Sequence, residues 1–243
     1  MELKYQNHVK HYQIDARYFD YFSSNKFLED EIARRYQAIV HLLKPTVGQK
    51  ILEIGSGGGQ LLKHLPAADF FYVPLDLALS NLKKIKQQYT QKNLPVTGDV
   101  FALPFRAKSF DIVIMAEVLE HLDRPLIALK ECHRVLKQGG RLVLSVPYKE
   151  VIPYYICIHC NNPTPKNGHL HSFDLTKLEE WTQNAGFVAL KSSRFLNKAF
   201  NRLHLSLALK NFPFPIWKRI DGFFNFLIDR PTSLILLCRK NSE

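Results

Sequence analysis

A chain of 243 residues that is 46% hydrophobic is long enough to bury one sizeable core and hard to divide into two. Its four cysteines, Cys132, Cys157, Cys160 and Cys238, are too few and too unevenly placed for a disulfide scaffold, which fits a reducing compartment. The formal net charge of +11 would suit nucleic acid, a membrane surface or an acidic metabolite, but part of it lies on single helix faces such as Lys83, Lys84 and Lys86, where it is simply solvated.

Met1 to Lys10 contains no apolar run of the signal-peptide kind. Nowhere do roughly eighteen apolar residues follow one another, so the expectation is a soluble, cytoplasmic protein without a transmembrane segment. From Tyr12 to Leu43, Phe27-Leu28, Ile32, Tyr36, Ile39-Val40 and Leu43 recur at helical spacing until Pro45 stops them.

Lys50 to Ile54 is a short apolar strand that carries Glu53 and runs into Gly55-Ser56-Gly57-Gly58-Gly59. Such a turn brings backbone within touching distance of a ligand and aims free N–H groups at it. The dinucleotide fingerprint would require glycine at position 60, where the chain has Gln60; the spacing is Glu-x-Gly-x-Gly-x-Gly. A helix is expected at Leu61 to Leu65 and a second strand at Phe70 to Asp76. Asp76 lies about twenty residues beyond the glycines, the placement of a ribose-binding acid. A helix through Leu82, Ile85 and Tyr89 leads to a third strand, Leu94 to Asp99. A fourth, Phe110 to Met115, has the unbroken apolar run of a parallel strand covered on both faces. It is followed by Glu117-Val118-Leu119-Glu120-His121, a helix from Asp123 to Gly139-Gly140, and a strand from Arg141 to Val146.

These motifs resemble, over roughly Lys50 to Tyr148, the class I S-adenosylmethionine-dependent methyltransferases. The resemblance implies a three-layer, doubly wound, Rossmann-like α/β fold. Its mostly parallel sheet would have seven strands, with strand seven antiparallel at the end. It implies S-adenosylmethionine as cofactor, bound through Glu53, Gly55, Ser56, Gly57, Gly59, Asp76, Leu77, Asp99, Val100 and Glu117. Asp76 would accept from the ribose hydroxyls and Asp99 from the adenine amino group, with Val100 supplying a backbone N–H and Phe101 an apolar wall. Leading helices often cover the cofactor in such proteins, so His11, Tyr12 and Tyr18 to Tyr21 are lid candidates. One domain is expected over 1–243: N-terminal helices at 1–45, a cofactor-binding core at 46–148, an insert at 149–173, and a C-terminal half at 174–243.

The Glu-Val-Leu-Glu-His segment is similar to small-molecule and quinone-pathway O-methyltransferases and to small-RNA end methyltransferases. In some of these the matching residues, here Glu117, Glu120 and His121, bind a divalent cation. His121 is the first candidate base and His171 the second. In the insert, Cys157-x-x-Cys160 is a half-site for tetrahedral zinc that His169 and His171 would complete. His171 is also claimed by a role facing the transferred methyl. Asp174 or Thr176 starts a helix from Leu175 to Ala185; strands six and seven are expected at Phe187 to Ser193 and Ser233 to Arg239. Between them, Ile216, Ile220, Phe223, Phe224, Leu227 and Ile228 share one helical face in the insert 195–230. That face is a candidate acceptor lid, a membrane-surface helix, or a helix packed on its own domain.

The expected activity is methyl transfer to a small or lipophilic metabolite, amphipathic and anionic, with O-methylation favoured. A nucleic-acid methyltransferase and a catalytically silent cofactor-binding module are the alternatives, and peripheral membrane contact stays open.

Overall fold

The computed structural model describes residues 5–20, 26–66, 70–89, 93–199 and 208–241. Two helices lead, α1 (His8–Tyr18) and α2 (Lys26–Leu43), followed by β1 (Lys50–Ile54), β2 (Phe71–Asp76), α3 (Leu79–Gln88), β3 (Val96–Thr97), β4 (Phe110–Ala116), α4 (Pro125–Val135) and β5 (Leu136–Pro147). A small hairpin, β6 (Tyr154–Ile156) and β7 (Pro163–Pro165), precedes α5 (Leu175–Asn184), β8 (Phe187–Asn197), α6 (Phe214–Leu227) and β9 (Pro231–Lys240).

Seven strands form one sheet in the order β3-β2-β1-β4-β5-β9-β8. The pairs through β3, β2, β1, β4 and β5 are parallel, and β9 is antiparallel to both its neighbours. The antiparallel strand is therefore seventh in the core, as expected, but it lies between the fifth and sixth strands rather than at the sheet's edge. Residue alternation explains why both faces are covered. Ile51, Ile112, Ile114, Val143, Ile235 and Leu237 point into one apolar layer, with Ile39 and Leu43 of α2, Ile85 of α3 and Trp217 of α6. Leu52, Val113, Met115, Leu144, Leu234 and Leu236 point into the other, with Leu129 and Cys132 of α4 and Leu178 of α5.

The predicted helix over Tyr12 to Leu43 is two helices, and residues 21–25, including the lid candidate Tyr21, lie outside the described residues. Asn7 caps α1 by accepting the N–H of Lys10 at 2.9 Å, but α1 buries none of its own residues. It lies over the domain instead of contributing to its core. Asp174, not Thr176, caps α5 by accepting the N–H of Lys177 at 2.9 Å. No helix of the described residues is long and apolar enough to cross a membrane.

In α6 the face that apolar periodicity marks is only partly turned inward, through the half-buried Ile220 and Phe224. Trp217 and Asp221 are buried, whereas Ile216, Phe223, Leu227 and Ile228 are 41 to 59% exposed. Asp221 accepts the N–H groups of Asn197 and Leu196 at 2.9 and 3.2 Å, closing the end of β8. Arg34 of α2 holds the approach to α6: it donates to the carbonyls of Leu209, Lys210 and Phe212 and lies 5.0 Å over the Trp217 ring. The insert is thus fastened to the α2 layer by a buried polar network as much as by apolar area.

Candidate functional site

The strand order reverses between β1 and β4, and the glycine loop leaves β1 at that point, where open α/β sheets hold their ligands. Gly55, Gly57 and Gly59 have φ of 68°, 46° and 66°. A Cβ at Gly55 would come within 2.5 Å of Val118, so only glycine lets this turn lie against the loop after β4. Asp76, at the end of β2, accepts the N–H of Gly57 at 2.9 Å and that of Ala78 at 2.8 Å. Burial raises its pKa, and these two donors, with the Asn81 side chain, oppose the rise. Asp76 therefore shapes the loop.

Asp99 lies just beyond β3, its Oδ1 accepting the N–H of Phe101 at 3.0 Å. Its Oδ2 is 2.7 Å from Nε2 of His8, reached from α1. His8 also meets the Phe101 ring edge-on at 5.1 Å, and Arg124 lies 4.3 Å over that ring. Val100 is buried beside it and Leu77 is half-buried. Of the lid candidates, Tyr12 reaches this end of the sheet, whereas Tyr18 is 88% exposed.

Glu53 is placed differently from its neighbours in the motif. Alternation along β1 turns it into the α2–α3 layer, where it is fully buried, accepts the Tyr72 hydroxyl and lies beside Tyr36. Burial drives its pKa to about 7 against the hydroxyls that favour the charge. Ser56 is buried too, and its hydroxyl has no partner among the described residues. Glu117 holds a strained φ of 53°, accepts the Ser145 hydroxyl at 2.7 Å and pairs with Arg35 at 3.2 Å.

Next to the glycine loop, Glu120, His121 and His169 bring one ligand atom each within 4.8 Å of one another, the one such cluster of potential metal ligands among the described residues. Glu120 is fully buried and neither carboxylate oxygen has a partner among the described residues; burial first, then Glu117, push its pKa well up. His121 is driven down to about 4 by burial and by His169, so its imidazole is neutral. Nδ1 of His169 lies 2.5 Å from Glu150, and the two imidazoles meet edge-on at 4.7 Å. Tyr5 and Tyr12 close the group: their hydroxyls are 2.9 Å apart, and Tyr12 faces His121 at 6.1 Å. Glu150, Tyr5 and His8 were not singled out in the sequence; only the contacts of the folded chain reveal them.

The expected four-ligand zinc set does not form. Cys157 and Cys160 lie at the tip of the β6–β7 hairpin, His169 is tied to Glu150, and Nε2 of His171 lies 2.8 Å from the Leu122 carbonyl oxygen while its ring packs on Trp181. Alternate residues of an extended segment point apart, which separates His169 from His171. The divalent set is also recomposed: Glu120 and His121 stand with His169, while Glu117 turns to Arg35 and Ser145.

Residues 52–144 match the methyltransferase domain family. This stretch carries a class I S-adenosylmethionine-dependent methyltransferase domain. It is similar to the ubiquinone/menaquinone biosynthesis C-methyltransferase of Ruegeria sp., at 32% identity over 114 residues, 44% of this chain and 46% of that one. It is also similar to the ubiquinone biosynthesis O-methyltransferase of Coxiella burnetii, at 28% over 155 residues, 59% of this chain and 65% of that one. The chain thus spans about half to two thirds of the curated relatives it matches. Among solved structures, the putative methyltransferase of Haloferax volcanii, in complex with the Trm112 methyltransferase activator, superposes with a TM-score of 0.65 at 16% identity, covering 96% of this chain and 98% of that one. At that identity the likeness concerns the fold alone.

The site fits the family's cofactor. Three glycines with positive φ leave room for a ligand against the backbone, the orphaned Ser56 hydroxyl lies in the same loop, and Asp76 and Asp99 stand at the ends of neighbouring strands.

Proposed function

We propose that this chain transfers the methyl group of S-adenosylmethionine to an oxygen of a small, partly lipophilic metabolite. The observation that carries the proposal is the pairing of the Asp76-braced glycine loop with the Glu120–His121–His169 cluster, which follows Val118, the residue packed on Gly55.

Bound S-adenosylmethionine supplies an electrophilic sulfonium methyl. Asp76 would hold its ribose and Asp99 its adenine amino group, once His8 yields that oxygen. Tyr5, Tyr12 and α1 would cover the site and exclude water. Most of the acceleration would come from holding donor and acceptor in line at near-attack distance.

Glu120, His121 and His169 suit a hard to borderline divalent cation: a buried carboxylate without partners among the described residues, a neutral imidazole, and a second imidazole oriented by Glu150. Such an ion supplies a Lewis acid that lowers the proton affinity of an acceptor oxygen. This donor set favours O-methylation over C-methylation. His121 and His169 would hold the ion, and the Glu150 contact would fix the His169 ring.

The decisive experiment incubates the protein and labelled S-adenosylmethionine with a cell extract, separated into metabolites and RNA, and identifies labelled products by mass spectrometry. Label on a hydroxyl of a small molecule supports the proposal. Label in RNA, label on carbon, or no label overturns it.

A further inference from the structure

The sharpest feature left unused by the site is Cys157-Ile158-His159-Cys160-Asn161 at the tip of the β6–β7 hairpin. The hairpin pairs Tyr154 with Pro165, Tyr155 with Thr164 and Ile156 with Pro163. Above that short ladder the chain closes a tight turn: Cys157 N–H donates to Asn162 O at 3.0 Å, and Asn161 N–H donates to Cys157 O at 2.8 Å. Asn161 takes the left-handed conformation, φ 57°, that lets the chain turn back straight after the second cysteine. The tight turn keeps both thiols on the hairpin tip, Cys157 half-buried and Cys160 exposed, and neither is in a disulfide. Two cysteines three residues apart on one turn are placed to act as a thiolate pair.

Two soft thiolates on a C-x-x-C spacing supply half of a tetrahedral zinc site. Among the described residues nothing supplies the other half. His169 stands with Glu120 and His121, Nε2 of His171 is held at the Leu122 carbonyl oxygen, and no described residue joins the two cysteines as a third ligand. The hairpin around them is apolar and uncovered: Tyr155, Ile156 and Ile158 are 59, 64 and 100% exposed. A two-stranded hairpin is marginal alone in water, and an apolar tip of this kind calls for a partner surface.

We propose that Cys157 and Cys160 are half of a four-cysteine zinc site that a second copy of this chain completes, joining two molecules through their hairpin tips. A two-fold axis through the ion supplies two identical cysteine pairs and makes the contact self-complementary, so Ile156 and Ile158 of each copy cover those of the other. The site is incomplete without the second copy. It also has a path to the pocket, because β7 leads through Lys166–Gly168 into His169, and the Gly168 carbonyl lies 3.3 Å from Nδ1 of His121. Zinc-linked dimers would hold the loop that carries His169 more firmly than separate chains do.

The test uses the full chain without a polyhistidine tag, under reducing conditions, with zinc measured per chain and mass by light scattering. The expected result is about half an equivalent of zinc per chain and a dimer that a chelator converts to monomers and added zinc restores. Cobalt(II) in place of zinc should give the thiolate charge-transfer and tetrahedral bands of a four-sulfur site. Cys160→Ser, and Cys157→Ser as a second variant, should be monomeric and zinc-free while binding S-adenosylhomocysteine with unchanged affinity, which shows the domain is folded. One zinc per monomeric chain, no zinc at all, a dimer that survives chelation, or a resting Cys157–Cys160 disulfide would each overturn the proposal.

Discussion

Nε2 of His8 lies 2.7 Å from Oδ2 of Asp99, so the N-terminal helix is fastened to the acid on which the adenine amino group would bind. Among the described residues, the only other polar partner of that carboxylate is the Phe101 N–H on Oδ1. If the adenine amino group binds Asp99, cofactor entry requires His8 to give up this contact, and α1, which buries none of its own residues, breaks no core packing in following it. His8→Ala should raise the association rate of S-adenosylhomocysteine by about 2- to 10-fold, the worth of one hydrogen bond. Stopped-flow binding checks this; an unchanged or slower rate would mean the contact does not gate the site.

Beside the ribose role proposed for it, Asp76 has a task that sequence alone did not assign, bracing the glycine loop through Gly57. Asp76→Ala should weaken cofactor binding by about 1.5 to 3 kcal/mol. Asp76→Asn, which keeps one carbonyl acceptor, should lose less. Calorimetry with S-adenosylmethionine and S-adenosylhomocysteine distinguishes them, and heat from a nicotinamide dinucleotide instead would refute the assignment.

Glu53 predicts a pH dependence whose sign is set by burial. Its folded pKa is raised from 4.5 to about 7, so between those values the native state holds a proton that the unfolded chain has released. Stability is therefore fully present below pH 4.5 and is lost as pH rises through 7, by roughly 3 kcal/mol in total. Glu53→Gln should flatten that part of the curve. Urea midpoints of both proteins at pH 5 and pH 8 test it: equal losses in the two would show that Glu53 is not the titrating group.

The two sides of α6 should respond oppositely to substitution. Trp217 is fully buried, stacks on Phe214 and lies under Arg34, so Trp217→Ala should cost about 3 to 5 kcal/mol. Phe226, 84% exposed, should tolerate Asp within about 0.5 kcal/mol. Denaturant midpoints decide it. If Phe226→Asp preserves stability and cofactor binding but lowers acceptor turnover, the outward stripe belongs to the substrate route; if turnover is also unchanged, the stripe takes no part in catalysis.

What could be read in advance follows the reach of each interaction. The glycine loop, Asp76 and the paired helix layers depend on residues close in sequence or on strand alternation, and the sequence contains both signals. The seventh strand's position between the fifth and sixth depends on which edge it finds, which its own residues do not encode. The inward face of α6 is not set by the apolar period alone, which weighs Ile216 and Phe223, because the fold needs Asp221 to satisfy the end of β8. The zinc set does not form for a similar reason: His169 is gathered to Glu120 and His121, and a backbone carbonyl claims His171 across 49 residues. His8 meets Asp99 across 91 residues, a pairing that no local pattern announces.

Glu120 provides the strictest test of the pocket. A buried carboxyl whose two oxygens lack partners among the described residues costs stability, and it faces two imidazoles at ligand distance from one another. A cation bound there would remove that cost and would stabilise only the folded state. Added Mn2+ at about a hundred times its dissociation constant should therefore stabilise the wild-type chain by about 2.7 kcal/mol. Glu120→Gln keeps the shape without the charge, so it should lose most of this gain while its metal-free stability matches or exceeds that of the wild type. His169→Ala should lose the gain as well, whereas Cys160→Ser, at the distant hairpin tip, should keep it. Thermal unfolding of the four proteins with and without Mn2+ reads all of this without any acceptor. An equal response in Glu120→Gln and wild type would place the ion elsewhere and leave Glu120 a buried neutral acid.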